Sequence, residues 1–218
     1  MIENESEARA YVAELADASA IERLEWLTKA LTEENERQNL VAKATLSEVW
    51  RRHFADSAQL LTHVSRETRP WLDLGSGAGF PGLVIAVLRP DIEIHLVESR
   101  RKRVDWLERA RTEMQLPNCH VVGSRLELVE SFSAGVICAR AFAPLPKLLD
   151  LSARFSTRDT SWLLPKGRSA AQELAELPPA TRAMFHVEQS LTDPDAGIIV
   201  GKLAQTGTKS SQPKGKRK

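Results

Sequence analysis

Trp71-Leu72-Asp73-Leu74-Gly75-Ser76-Gly77-Ala78-Gly79-Phe80-Pro81-Gly82 is the stretch on which the fold is decided. A short apolar run ends at an acid, enters a glycine-rich turn, and gives way to a second apolar run, Leu83 to Leu88. The order is strand, tight loop, helix. Glycines let the chain turn sharply and let a ligand approach the backbone closely. The start of the helix offers N–H groups that have no partner inside it, a ready site for a polar ligand. Glu98 closes the next apolar run, Ile92 to Val97. A carboxylate at that place can accept both hydroxyls of a ribose. The expected ligand is therefore a nucleoside-bearing cofactor.

On the C-terminal side, short apolar runs alternate with amphipathic stretches. Strands are expected at 92–97, 119–122, 136–139 and 162–164, with two more near 183–189 and 197–204. Helices are expected at 82–88, 100–114, 145–155 and 169–177, with a short one from Arg125. The strand runs are continuously apolar, as strands covered on both faces should be. Alternation of this kind predicts an α/β, Rossmann-like architecture: a mainly parallel central sheet with helices on both faces and right-handed crossovers. The last two strands are joined only by a short loop at Asp193-Pro194-Asp195, which allows an antiparallel pair. On the N-terminal side, 5–18, 20–40 and 45–64 read as helices. Leu24, Leu27 and Leu31 form an apolar stripe that needs a surface to cover it. The expected organisation is an N-terminal helical segment, 1–64, packed on a cofactor-binding domain, 65–205, followed by a disordered basic tail, 206–218.

Bulk properties narrow the classes. The chain of 218 residues has no apolar stretch long enough to cross a bilayer, and its acidic start, MIENESEARA, is no secretory signal. Cys119 and Cys138 lie in apolar stretches and read as buried free thiols of a cytoplasmic protein. No His/Cys spacing suggests a metal site. The net charge of +1 hides an imbalance: residues 1–40 carry ten acids and four bases. The basic excess gathers at Arg100-Arg101-Lys102-Arg103 and in the tail, an arrangement that permits binding to a polyanion.

Gly77-Ala-Gly79-Phe-Pro-Gly82 satisfies the G-x-G-x-x-G pattern of NAD(P)-dependent oxidoreductases, a weak signal on its own. The longer D-x-G-x-G-x-G reading, with Asp73 two residues before the first glycine, favours a class I methyltransferase using S-adenosylmethionine. Asp73 would then reach toward the methionine end of the cofactor and Gly77 would line it.

The strings LDLGSGAGFPG, LVES with RRKRVDWL, GSRLE, ARAFAPL and LPKG occur in that order, and His53-Phe54-Ala55-Asp56-Ser57 precedes them. Together they resemble the bacterial small-subunit ribosomal RNA guanine-N7 methyltransferases, the glucose-inhibited division protein B family, over about 35–201. The resemblance implies methyl transfer to N7 of a guanine in 16S ribosomal RNA, giving 7-methylguanosine. It also implies a cofactor site formed by Gly75, Phe80, Leu126, Glu127 and Arg140. The sequence departs from the family at Glu34, Val41 and Ala139, where an aromatic residue, a threonine and a serine are usual.

The chemistry agrees with what the sequence lacks. Guanine N7 carries a lone pair and no proton, so the enzyme has only to align it with the methyl group. The [DN]-P-P-[FY] loop of amine methylation is replaced by Ala139-Arg140-Ala141-Phe142-Ala143-Pro144. Arg140 is the residue expected to take part in catalysis, holding guanine O6, a phosphate or the cofactor carboxylate. Lys166 is expected to contact phosphate, Phe142 to stack on the base, and His53 to wall the pocket. The expected partner is 16S RNA or the small ribosomal subunit, met by a monomer. A methyltransferase acting on another RNA, a protein or a small molecule is the alternative.

The tail from Gly207 to Lys218 carries five bases and no acid. Its deletion should weaken RNA binding and flatten its salt dependence while sparing cofactor affinity, as loss of phosphate contacts requires. RNA affinity that is unchanged across a salt titration would show that the tail is no tether.

Overall fold

The computed structural model describes residues 1–203; the tail expected from 206 onward lies outside them. Helix α1 (Glu5–Leu15) starts where Asn4 accepts the Glu7 amide, and α2 (Ala18–Asn35) starts where Asp17 accepts that of Ala20. Side-chain caps of this kind satisfy N–H groups that a helix cannot. The helix expected over 20–40 stops short because Asn35 Oδ1 turns back and accepts from the Leu40 and Val41 amides, both at 2.9 Å.

The helix expected over 45–64 is a chain of irregular turns instead. A 3-10 turn, Lys43–Glu48, leads into a π-helical turn, Trp50–Ala55, then α3 (Asp56–Ala58), then a second 3-10 turn, Gln59–His63. One physical reason is visible at the start of the π turn. The Glu5 carboxylate on α1 captures the amides of Trp50 and Arg51 at 3.0 and 2.8 Å. The wider turn packs Trp50, His53, Phe54 and Ala55 inward together. π turns of this kind are frequent at functional sites.

Beyond them come β1 (Trp71–Leu74), α4 (Gly82–Leu88), β2 (Ile94–Val97), α5 (Arg101–Glu113), β3 (Cys119–Val122) and β4 (Val136–Cys138). The chain then forms α6 (Leu145–Ser152), β5 (Ser161–Gly167), α7 (Ala170–Ala175), α8 (Pro179–Arg182), β6 (Phe185–Gln189) and β7 (Gly197–Gly201). The seven strands form one sheet in the order β3-β2-β1-β4-β5-β7-β6. The first five in that order are parallel, and β7 runs antiparallel to both β5 and β6. The strand order reverses between β1 and β4, and ligands of open α/β sheets bind at the carboxyl edge of such a point.

Two apolar layers cover the sheet. On one face α4 and α5 share a core with α1 and α2, in which Leu24, Leu27 and Leu31 are fully buried. On the other, α6 and α7 bury Leu145, Leu148 and Ala170 against Leu72, Ile137 and Leu164. Cys119 and Cys138 are buried and free. Burial pushes the Cys119 thiol up to about 12 and that of Cys138 well above its ordinary value. Neither is a ready nucleophile.

Because α2 and α4 belong to one core, Leu27→Ala should cost about 2–5 kcal/mol of global stability, the toll of an unfilled buried cavity. Urea unfolding should show this as a lowered midpoint in a single transition. A loss confined to a separate early transition would mean that the N-terminal helices fold apart from the sheet.

Candidate active site

The glycine loop after β1 is held from below by two carboxylates. Gly75 and Gly77 have φ of +65° and +57°, the left-handed region that glycine enters without steric cost. The Gly75 and Ser76 amides both donate to the Val97 carbonyl, at 2.8 and 3.1 Å. Glu98 Oε2 accepts from the Gly77 amide at 3.1 Å, while Oε1 accepts from Ser99 and Arg100 at 2.7 and 2.8 Å. Asp73 Oδ2 accepts from the Gly82 amide at 3.1 Å and so starts α4. Asp73 is wholly buried, and burial pushes its carboxyl up to about 6.

Two cavities open on this sheet edge. The smaller, about 380 Å³, is lined by Gly75, Glu98, Arg100, Leu126, Glu127 and Phe142 among others. The larger, about 760 Å³, is lined by Thr45, His53, Asp56, Arg140, Phe142 and Lys166 among others. Phe142 belongs to both. Its ring lies over Gly75 so closely that a Cβ there would sit 2.6 Å from Cδ2. Ala141, just before it, has φ +56°, a conformation costing a non-glycine residue about 1–3 kcal/mol.

Arg140 stands at the end of β4, and the N-terminal segment closes around it. Its Nη1 donates toward the Arg52 carbonyl at 3.3 Å and His53 Nδ1 at 3.2 Å, and lies 3.6 Å from Asp56 Oδ2. The guanidinium carbon is 5.2 Å from the centre of the Phe80 ring, on which His53 stacks at 4.8 Å. Because Nδ1 faces a donor, the proton of His53 sits on Nε2 and is donated to Thr45 Oγ1 at 2.9 Å. The Thr45 hydroxyl in turn donates to the Ala42 carbonyl. Burial first, then the neighbouring Arg140 and Arg52, depress His53 to about 3, so the ring is neutral. Burial raises the Asp56 carboxyl above its ordinary value against the pull of Arg140.

Several residues singled out in the sequence therefore meet in two groups. Gly75, Glu98, Leu126 and Glu127 line the smaller cavity, and Arg140, Lys166 and His53 the larger. Gly77, Phe80 and Asp73 line neither. Gly77 and Asp73 hold the loop from behind, and Phe80 is the platform beneath His53 and Arg140. Lys166 is not the free phosphate contact expected from its strand-end position. Its ammonium is paired with Glu173 at 2.9 Å and donates to the Ala143 carbonyl at 3.0 Å. The reading of the sequence missed Thr45, Glu173 and Thr192, which meets Asp56 at 3.0 Å. None sits in a chemical motif, and only the fold brings Thr192 from the loop after β6 to the N-terminal segment.

Among the described residues no group of three or more His, Cys, Asp or Glu side chains is placed to hold a metal ion. No helix among them is long and apolar enough to cross a membrane.

Known proteins with this fold include a methyltransferase from Geobacter sulfurreducens, superposing with a TM-score of 0.57 at 10% identity over 81% of this chain and 90% of that one. A mutant of MtNAS in complex with S-adenosylmethionine superposes with a TM-score of 0.56 at 13% identity, over 80% and 72%. In sequence, the chain is 63% identical over 202 residues to the ribosomal RNA small subunit methyltransferase G of Erythrobacter litoralis, covering 93% of this chain and 98% of that one. The family model described as GidB, rRNA small subunit methyltransferase G, matches residues 20–194. The chain thus belongs to the rRNA small subunit methyltransferase G family, on a class I methyltransferase fold.

Proposed function

We propose that this enzyme transfers a methyl group from S-adenosylmethionine to N7 of a specific guanine in 16S ribosomal RNA, working as a cytoplasmic monomer on the small subunit or its RNA. The observation that carries this reading is the pair of cavities meeting at Phe142, one beside the glycine loop and one beside Arg140. Backbone without a Cβ at Gly75 gives a cradle that a nucleoside can enter once Phe142 moves aside. Glu98, which already orders the loop, has a lone pair left for a ribose hydroxyl. Leu126 and Glu127 flank the adenine, the former by apolar contact. Gly77 and Asp73 keep the loop in shape, and Phe80 supports the methionine end from beneath Arg140.

S-adenosylmethionine supplies a methyl group made electrophilic by its sulfonium. The chain's own residues have to bring N7 in line with it and exclude water. No general base is required, and the site agrees: His53 is neutral but has both ring nitrogens engaged. Arg140 holds the guanine near its O6, and Phe142 stacks on the base. Lys166, tied to Glu173 and to Ala143, sets the position of the loop that carries Phe142.

Incubation of the purified protein with labelled S-adenosylmethionine and small subunits from a strain lacking the gene should give one 7-methylguanosine in 16S RNA. Arg140→Ala should lower kcat/KM by roughly 10- to 150-fold, the worth of a hydrogen bond to a charged group. Gly75→Asp should abolish cofactor binding, since its side chain would fill the cradle and strain a backbone held at φ +65°. Cofactor binding without RNA methylation would move the substrate to another RNA, a protein or a small molecule.

The buried, neutral His53 has a consequence for stability. Its folded value of about 3 lies below the ordinary 6.5, so the unfolded chain binds the proton first as pH falls. Wild type should lose stability relative to His53→Gln between pH 6.5 and 3, and hold it above pH 6.5. A melting-temperature difference that stays flat across that window would show that His53 titrates freely.

A further inference from the structure

Guanine offers its edges in a fixed order: N7, a bare acceptor; O6, an acceptor; then N1–H and the 2-amino group, both donors. Adenine offers N7, then the 6-amino donor, then N1 as an acceptor. A protein that methylates N7 and accepts only guanine therefore needs a donor beside the methyl group and an acceptor one step farther along.

Arg140 and Asp56 have that order. Arg140 stands at the end of β4, over Phe80 of the glycine loop and within electrostatic reach of Asp73, while Asp56, on the N-terminal segment, meets Arg140 at 3.6 Å and has no such coupling to Asp73. Both line the larger cavity, with 25% and 20% of their side chains exposed. Their unused capacity is also complementary. Arg140 commits Nη1 to Arg52 and His53, and its Nε and Nη2 have no hydrogen-bond acceptor among the described residues. Asp56 commits Oδ1 to Gln59 at 2.9 Å and Thr192 at 3.0 Å. Its Oδ2 meets Arg140 at 3.6 Å, longer than a good hydrogen bond.

Two other carboxylates line this cavity and both are engaged. Glu173 accepts from Lys166 at 2.9 Å, Ser169 at 2.8 Å and the Leu145 amide at 3.2 Å. Asp193 accepts from Arg52 and from the Asp195 amide, both at 3.0 Å. Asp56 is the acid whose second oxygen meets only Arg140, at 3.6 Å.

From this geometry we infer that Arg140 and Asp56 act together as the guanine reader, Arg140 donating to O6 and Asp56 Oδ2 accepting from N1–H. The inference rests on the guanine-N7 reading above and adds to it the residue that rejects adenine. With adenine in the same pose, Arg140 would face an amino donor and Asp56 would face the N1 lone pair. Gln59 and Thr192 are positioning residues, anchoring the carboxylate so that only one oxygen is presented. The His53–Thr45 relay does the same for the guanidinium.

The test uses the wild-type enzyme first, so that folding is not in question. Small-subunit RNA is ligated from synthetic segments with guanine, hypoxanthine or 2-aminopurine at the target position. Hypoxanthine keeps O6 and N1–H and loses only the 2-amino group; 2-aminopurine keeps N7 and the amino group but lacks both O6 and N1–H. The expected order of kcat/KM is guanine close to hypoxanthine, with 2-aminopurine, which loses both contacts, lower by at least the roughly 5- to 150-fold worth of one good base contact. Asp56→Asn should lower kcat/KM on guanine by a similar factor, leave the Kd for S-adenosylmethionine within twofold, and narrow the preference over 2-aminopurine. Asp56→Glu should recover part of the loss. Efficient methylation of 2-aminopurine by wild type would overturn the inference, as would an Asp56→Asn enzyme with unchanged base preference. Failure of wild type to methylate guanine at all would instead remove the functional reading beneath it.

Discussion

The carboxylates of Asp73 and Glu98 grip one turn of backbone, and the ligand edge of this molecule depends on that grip. A loop with four glycines in the eight residues from Gly75 to Gly82 has much conformational freedom to lose. Asp73 fastens its far end through the Gly82 amide, and Glu98 fastens its middle through the Gly77 amide. Both are buried, and backbone N–H groups stabilise a buried carboxylate only where they point straight at it. Gly75 is thereby held with its bare face toward the cavity.

Arg140 is the second point of convergence, and it explains why the N-terminal segment is part of the enzyme rather than an appendage. Three backbone or side-chain groups from 52 to 56 surround its Nη1. That segment is anchored in turn by Glu5 at one end and by the loop after β6 at the other, through Arg52–Asp193 and Asp56–Thr192. A change in α1 or in the β6–β7 loop therefore reaches the guanidinium through one or two contacts. The segment brings His53, Asp56 and the Arg52 carbonyl together around one guanidinium nitrogen.

Much of this was legible in the sequence, for reasons that can be stated. Strands buried on both faces are mostly apolar runs, so β1, β2 and β4 stand out, and the glycine loop marks where β1 gives way to α4. The antiparallel end of the sheet follows from the short loop before β7. The segment 43–63 was not legible as it folds. Its apolar spacing suits a helix, but its amides are claimed by Glu5, a residue more than forty positions away. The Lys166 pairing was hidden for a similar reason: its strand-end position suggests solvent, and only the packing of α7 brings Glu173 to it. Asp73 marks the loop correctly, yet it works from behind the loop instead of within the groove. Residue types and local spacing reveal which groups gather at an edge. They do not reveal which of those groups are already spent on one another.

That distinction bears on how the site handles charge. Methyl transfer from a sulfonium to guanine N7 creates no net charge; a positive charge moves from sulfur to the purine. A cation placed against N7 would oppose the product, and a strong base would have no proton to take. The cations here are restrained accordingly. Lys166 is neutralised by Glu173, Arg52 by Asp193, and His53 is held without its second proton. Arg140 keeps Nε and Nη2 without described acceptors, and Asp56 beside it offsets its charge. In the proposed pose, with Arg140 set against O6 rather than N7, those donors would hold the base while the charge develops on the neighbouring nitrogen. By balancing Arg140, Asp56 would let a guanidinium stand beside a forming cation at tolerable cost.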